Sequence, residues 1–199
     1  MKRILVTGGL GYIGSHTCVA LIEAGYHPVV IDNLTNTRHS VKSAIEDLTG
    51  KPLEFYQIDA KKANIVSKSI GNIDGVIHFA ALKSVGESIE KPMEYYTENL
   101  ESLLNTIKVA NSKSVKSFIF SSSATVYGET KDSCVSEETP LGNPSSPYGH
   151  TKILGEKILQ SGKHSFKTII LRYFNPIGAH PSAKLGELPI GIPNNLVPY

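Results

Sequence analysis

Tyr148 and Lys152 lie four residues apart in the word YGHTK, so a helix through them places both side chains on one face. A free tyrosine titrates at about pH 10 and is a poor base at neutrality. An ammonium one helical turn away, together with a positive nicotinamide ring, favours its phenolate, which can then accept a proton from a substrate hydroxyl. Far upstream, TGGLGYIG sets Gly8, Gly11 and Gly14 at G-x-x-G-x-x-G spacing directly after the apolar run Ile4-Leu5-Val6. Where a buried strand turns into a helix, such glycines let the backbone approach a pyrophosphate. The anion then rests on amides of the first helical turn, here those around Tyr12 and Ile13. A dinucleotide that carries hydride and a tyrosine that moves a proton together suit redox chemistry at an alcohol carbon.

Other positions extend this reading. Asp32, in the pair Asp32-Asn33, follows Gly14 by about 18 residues and ends an apolar run. There its carboxylate can accept hydrogen bonds from an adenosine ribose and would repel a 2′-phosphate, so NAD is expected rather than NADP. Asp59 is placed to reach the adenine end or to cap a helix. Phe79-Ala80-Ala81 supplies small residues where a cofactor would lie close to strand ends, and Lys83 can neutralise pyrophosphate or meet the nicotinamide ribose. His78 reads as a half-buried strand residue rather than a base or ligand. Ser121-Ser122-Ser123-Ala124-Thr125 closes another apolar run. A hydroxyl there, from Ser123 or Thr125, can bond a substrate hydroxyl and shorten the proton path to Tyr148.

The elements that must position these groups alternate in type. Strands are predicted at about 3–7, 28–32, 54–58, 74–79, 116–121 and 167–173, with helices near 12–24, 40–48, 61–70, 94–110 and 147–161. Gly25 stops the first helix. The helix at 94–110 carries Leu100, Leu103, Leu104 and Ile107 at helical spacing. Short β-branched strands between amphipathic helices specify an α/β fold, a Rossmann-like doubly wound parallel sheet. Residues 1–173 form the expected NAD-binding domain. Residues 174–199 carry five prolines, Pro176, Pro181, Pro189, Pro193 and Pro198, and cannot be one regular element. They are expected to open a substrate-binding region whose remainder the 199 residues do not contain.

Composition narrows the function classes. A net charge of +2, without Lys or Arg runs, leaves no electrostatic footprint for nucleic acid. Cys18 and Cys134 lack C-x-x-C spacing, so neither a disulfide framework nor a metal site is indicated, and Cys18 is expected in the core. The glycine-rich turn at Gly8 leaves no room for a secretory leader. No apolar run approaches the ~18 residues that cross a bilayer. A cytoplasmic enzyme is the expectation.

Taken together, TGGLGYIGSHT, VGES with KPMEYY, SSSATVYGE, SPYGHTK, RYFNPIGAHPS and GIPNNLVPY resemble the extended short-chain dehydrogenase/reductase family, and within it the UDP-glucose 4-epimerase branch, over essentially the whole chain. The resemblance implies Tyr148 as catalytic base, Lys152 as its cofactor-anchoring partner and Ser123 as hydroxyl relay. It places Gly8, Gly11, Tyr12, Ile13, Gly14, Asp32, Asn33, Asp59, Ala60, Phe79, Ala80, Lys83, Asn99, Ser121 and Tyr173 around NAD. A UDP-hexose would meet Lys83, Ser123, Thr125, Tyr148, Phe174, Asn175 and Asn195. The implied reaction removes hydride from sugar C4 and returns it to the opposite face of a 4-keto sugar. A homodimer through the helices near 94–110 and 147–161 is also implied. The sequence departs from the family at Ala81, where glycine is usual, and at Ala60, where a larger aliphatic is usual. The family's C-terminal arginines for uridine diphosphate have no counterpart in these residues. Dehydratases of the same fold carry Asp-Glu after the threonine of the fifth-strand word, whereas Val126 follows Thr125 here. Epimerisation of another nucleotide sugar, or an NAD-binding fragment with impaired catalysis, are the alternatives.

Overall fold

The computed structural model describes residues 1–130 and 134–188. Six parallel strands form one sheet: β1 (Arg3–Thr7), β2 (His27–Asp32), β3 (Glu54–Gln57), β4 (Gly75–His78), β5 (Ser117–Ser123) and β6 (Lys167–Tyr173). Their spatial order is β3-β2-β1-β4-β5-β6, so the chain reverses direction of travel between β1 and β4. Ligands bind such sheets at that switch, beyond the carboxyl ends of the strands. The apolar runs are continuous because both faces are covered. Successive residues serve opposite layers: Leu5 and Val29 join the cluster containing Phe118, Phe120, Leu103 and Ile107, while Val6 and Val30 join that of Leu10, Cys18 and Ile45. Helices α1 (Tyr12–Glu23) and α2 (Ser40–Thr49) cover one face, and α3 (Ala63–Val66), α5 (Pro92–Ser112) and α6 (Pro147–Ser161) the other. Between β4 and α5 in sequence lies α4 (Val85–Glu90).

The elements depart from expectation in four places. The helix expected over 61–70 is a 3₁₀ turn at Ala60–Lys62 followed by the single turn of α3. Asp59 caps the start by accepting from the Lys61 amide at 2.8 Å, and the chain then closes with Ser69 N–H and Ile70 N–H both donating to the Val66 carbonyl. The unexpected α4 starts at a Ser84–Glu87 cap, whose S-x-x-E spacing was a readable signal. Helix α5 begins at Pro92, a residue suited to the first helical position. His78 is buried rather than half-buried, with its Nδ1 2.7 Å from the Thr7 hydroxyl.

Gly25 takes the left-handed conformation that ends α1. Cys18 is buried, and desolvation raises its thiol to about 12, while Cys134 is exposed. Residues 174–188 are irregular, as their prolines require, and double back over α1. The Tyr12 phenol donates to the Gly178 carbonyl at 2.6 Å, and Leu185 is buried in the layer that holds Leu10.

Candidate active site

Two groups of residues meet at the carboxyl edge of the sheet. The first is built from backbone. Gly8 has φ +68°, and a Cβ there would stand 2.7 Å from the Ala80 amide nitrogen, so the turn after β1 touches the turn after β4. A Cβ on Gly14 would lie 2.3 Å from the Gly8 carbonyl, which only a glycine avoids. Gly9, which the spacing did not single out, is equally confined: its Cβ would meet Val30 at 2.8 Å. Gly11 caps α1 without a side-chain bond to the first amides, and no acidic residue occupies the first turn. Those amides, together with the helix dipole, form a cradle suited to a pyrophosphate.

Asp32, 8% exposed, ends β2 beside this cradle. Burial raises its carboxyl above the usual range, opposed by the Leu34 and Leu10 amides that donate to it at 2.9 and 3.1 Å. Its remaining lone pairs can accept ribose hydroxyls. Asn33 donates to Asp59 at 3.1 Å, so Asp59 both caps its turn and is tied to the end of β2. Ala60 is buried behind it.

The second group is built from side chains. Ser146 caps α6 by accepting from the Gly149 amide, and Pro147 sits in the first turn. Tyr148 and Lys152 then project from one face, with the Lys152 ammonium 5.6 Å from the tyrosine ring centre. Lys152 is 5% exposed, donates to the Ser121 carbonyl at 2.7 Å and lies over the Phe120 ring. Desolvation pushes its ammonium down to about 8. Burial raises the Tyr148 phenol, and the influence opposing it comes from Ser123 rather than from Lys152. The Ser123 oxygen accepts from the Thr125 hydroxyl at 3.0 Å, which places both hydroxyls beside one another near Tyr148.

The remaining candidates are distributed more loosely. Asn99 uses its amide on the Leu82 backbone at 2.8 and 3.1 Å and on the Thr151 hydroxyl at 3.1 Å, which fixes the loop leaving β4. Phe79 and Ala80 lie in that loop against the glycine-rich turn. The Lys83 ammonium reaches Glu187 at 3.0 Å. Tyr173 ends β6 half-buried, but Phe174 is 63% exposed and Asn175 is exposed. Asn195 lies outside the described residues.

Sequence reasoning missed Glu156 and Arg172. Glu156 is fully buried on α6 and holds Arg172 of β6 through two hydrogen bonds, at 3.0 and 2.8 Å. The i, i+4 repeat of Tyr148, Lys152 and Glu156 was visible, but its distant partner was not.

A sequence profile of the NAD dependent epimerase/dehydratase family matches residues 4–191. The chain belongs to that family. It is 50% identical over 98% of its length to a UDP-glucose 4-epimerase of Yersinia pestis, and 47% identical over 98% to one of Bacillus subtilis. It spans 60% and 59% of the length of those relatives. The structure of the UDP-glucose 4-epimerase of Bifidobacterium longum in complex with NAD+ and UDP superposes with a TM-score of 0.95 at 46% identity. It covers 100% of this chain and 61% of its own. Within this epimerase/dehydratase family, the short turn Ala124–Tyr127 offers no carboxylate beside Thr125 with which to drive an elimination.

Proposed function

We propose that this chain is the NAD-binding part of a UDP-glucose/UDP-galactose 4-epimerase that inverts sugar C4 reversibly in galactose metabolism. The observation that carries the reading is the Tyr148–Ser123–Lys152 cluster beside a glycine cradle. High identity to enzymes named for that activity supports it. Residues 1–173 act as the NAD-binding unit and 174–199 as the start of the substrate-binding region. Gly8, Gly11, Gly14, Tyr12 and Ile13 hold the pyrophosphate, while Asp32, Asn33 and Asp59 take the adenosine. When bound, NAD supplies a hydride acceptor and donor.

The chain's own residues manage the proton. Ser123 and Thr125 orient the sugar hydroxyl, and Tyr148 takes its proton. Lys152, held by Ser121, keeps a positive charge next to the phenol. The raised Tyr148 makes it a weak base until a further positive charge lies beside it, so proton removal is coupled to occupancy of the cradle. A cytoplasmic homodimer is part of this reading, and the partly exposed Leu104 of α5 and Leu154 of α6 support such pairing. A second reading, an NAD-binding fragment with impaired turnover, is favoured by the exposure of Phe174 and Asn175.

Conversion of UDP-galactose to UDP-glucose by the purified chain, beside its Tyr148→Phe variant, tests the proposal. Turnover abolished by the substitution, with NAD affinity kept within about threefold, is expected of the epimerase. Turnover that survives Tyr148→Phe would overturn the assignment. NAD binding without turnover in either protein would favour the second reading.

A further inference from the structure

Tyr148, Lys152 and Glu156 descend one face of α6 at successive helical turns. Each faces the end of β5: Ser123 influences the Tyr148 phenol, Lys152 donates to the Ser121 carbonyl, and Glu156 accepts from the Ser122 hydroxyl at 2.5 Å. Glu156 differs from the other two in having no exposed surface at all. A carboxylate taken fully out of water is costly unless it is paired and hydrogen-bonded.

Its partners come from two adjacent strands. The β5–β6 register sets Ser122 opposite Arg172, so both donors face α6 from neighbouring positions. Arg172 grips Glu156 in a two-pronged contact and extends its other nitrogen to the Tyr127 phenol at 3.1 Å and the Glu137 carbonyl at 3.3 Å. Close approach of the helix is permitted by Gly155, where a Cβ would lie 2.6 Å from the Phe120 ring. An apolar pair of similar volume could fill the same space with little loss of stability. What it could not supply is direction: a bidentate guanidinium–carboxylate contact fixes distance and angle together.

We propose that Glu156 is a positioning residue, which with Arg172 and Ser122 clamps α6 to β5 and β6 and so sets where Tyr148 and Lys152 stand over the strand ends. This rests on the reading of Tyr148 and Lys152 as the reacting pair. The clamp acts through the helix and touches neither substrate nor cofactor. It explains why a buried charge pair persists one turn below the two residues whose placement matters most.

The test is the titration of Lys152, followed by carbon NMR of labelled lysine side chains and assigned with Lys152→Met. The double variant E156M/R172M removes both charges together, so net charge near Lys152 is unchanged while the clamp and the Arg172 contacts to Tyr127 and Glu137 are lost. If the clamp positions α6, Lys152 gains water and titrates about one pH unit higher than in the parent chain. Glu156→Gln, which keeps one acceptor oxygen but leaves the Arg172 charge unpaired, should not raise the titration, so a rise confined to the double variant marks loss of the clamp. A folded double variant with an unmoved Lys152 titration would overturn the proposal. Loss of folding in both variants would do so too, since the pair would then act on stability alone. NAD binding, read by calorimetry on the same samples, separates the two claims. A parent chain that binds no NAD defeats the proposed function, while the Lys152 titration still reports on the clamp.

Discussion

The two halves of the carboxyl edge are built on opposite principles. Around β1 and β2 the site is made by leaving side chains out: Gly8 and Gly14 bring backbone against backbone, and Gly9 brings backbone against the Val30 side chain, at distances no Cβ would survive. Around β5 and β6 it is made by burying charges: Lys152, Glu156 and Arg172 sit in or beside the core with each charged group engaged. The first half is fixed by shape, although it too buries a carboxyl, Asp32, whose titration burial raises. The second is held by directional bonds and carries a desolvation cost visible in the lowered Lys152 ammonium. On the proposed function, binding falls to the half that is fixed by shape, and proton chemistry to the half whose charges can be tuned.

The largest effect expected is a break of the first half alone. Gly14→Ala puts a methyl group 2.3 Å from the Gly8 carbonyl, a contact with rigid backbone that cannot be relieved by a rotamer change. NAD affinity measured by calorimetry should fall by at least about 100-fold, because the cradle must open to admit the methyl. The Lys152 titration should stay at about 8 if the halves are independent. A parallel shift of that titration would show the two halves to be one mechanical unit.

The same contrast explains what could be read from the sequence. Glycine spacing, Asp32 at the end of an apolar run and the Tyr148–Lys152 pair are short-range patterns, and they located the strands, the order of elements and the cradle. The clamp was hidden because Glu156 and Arg172 are 16 residues apart on different elements and meet only through the β5–β6 register. The half-buried reading of His78 missed because its stacking on Phe120 and its bond to Thr7 both come from other strands. The expected helix at 61–70 failed for a local reason, since the capped turn at Asp59 and the single turn of α3 already bury Ala63 and Ile70. The environment of Tyr148 was not legible either: spacing showed a lysine nearby but not that the phenol would be buried.

His78 joins the halves, lying on β4 with Thr7 of β1 on one side and the phenylalanines of β5 on the other. Burial and the nearby Lys152 charge lower its imidazole from the ordinary 6.5 to about 3. The unfolded chain therefore binds one more proton than the folded chain between those values. Stability should be full above pH 6.5 and fall as pH drops toward 3, by up to about 1.4 kcal/mol per pH unit from this group. Urea unfolding at several pH values checks the slope, and His78→Gln should flatten it. A slope unchanged by His78→Gln would assign the acid sensitivity to other groups.

Lys152 sharpens the comparison from the other side. Its titration is lowered from 10.5 to about 8, so at neutral pH its charge is held in the fold against a desolvation penalty. Stability from this group rises as pH climbs from 8 toward 10.5, where the folded chain has released the proton that the unfolded chain retains. Lys152→Met should raise stability at pH 7 by about 1–2 kcal/mol, after allowing for the lost bond to Ser121. Thermal unfolding measures the gain, and its loss at pH above 10.5 would identify the cause. A destabilised Lys152→Met would mean that the Ser121 bond outweighs desolvation, and that charge burial in this half is not a concession to chemistry.

The smallest effect is expected at Lys83, which lies at the rim where the halves and the returning tail meet. Its side chain is 60% exposed and its ammonium pairs with Glu187 at 3.0 Å. Solvent screens such a pair, so Lys83→Gln should change stability by less than about 0.5 kcal/mol. If the lysine instead faces bound pyrophosphate, NAD affinity should fall about threefold to tenfold, and the loss should shrink as salt is raised. The two readouts divide the possibilities cleanly. Unchanged affinity with unchanged stability would make the rim pair a solvated contact and confine binding to the glycine half. An affinity loss without a stability loss would show that one side chain of the loop after β4 completes a cradle otherwise built from backbone.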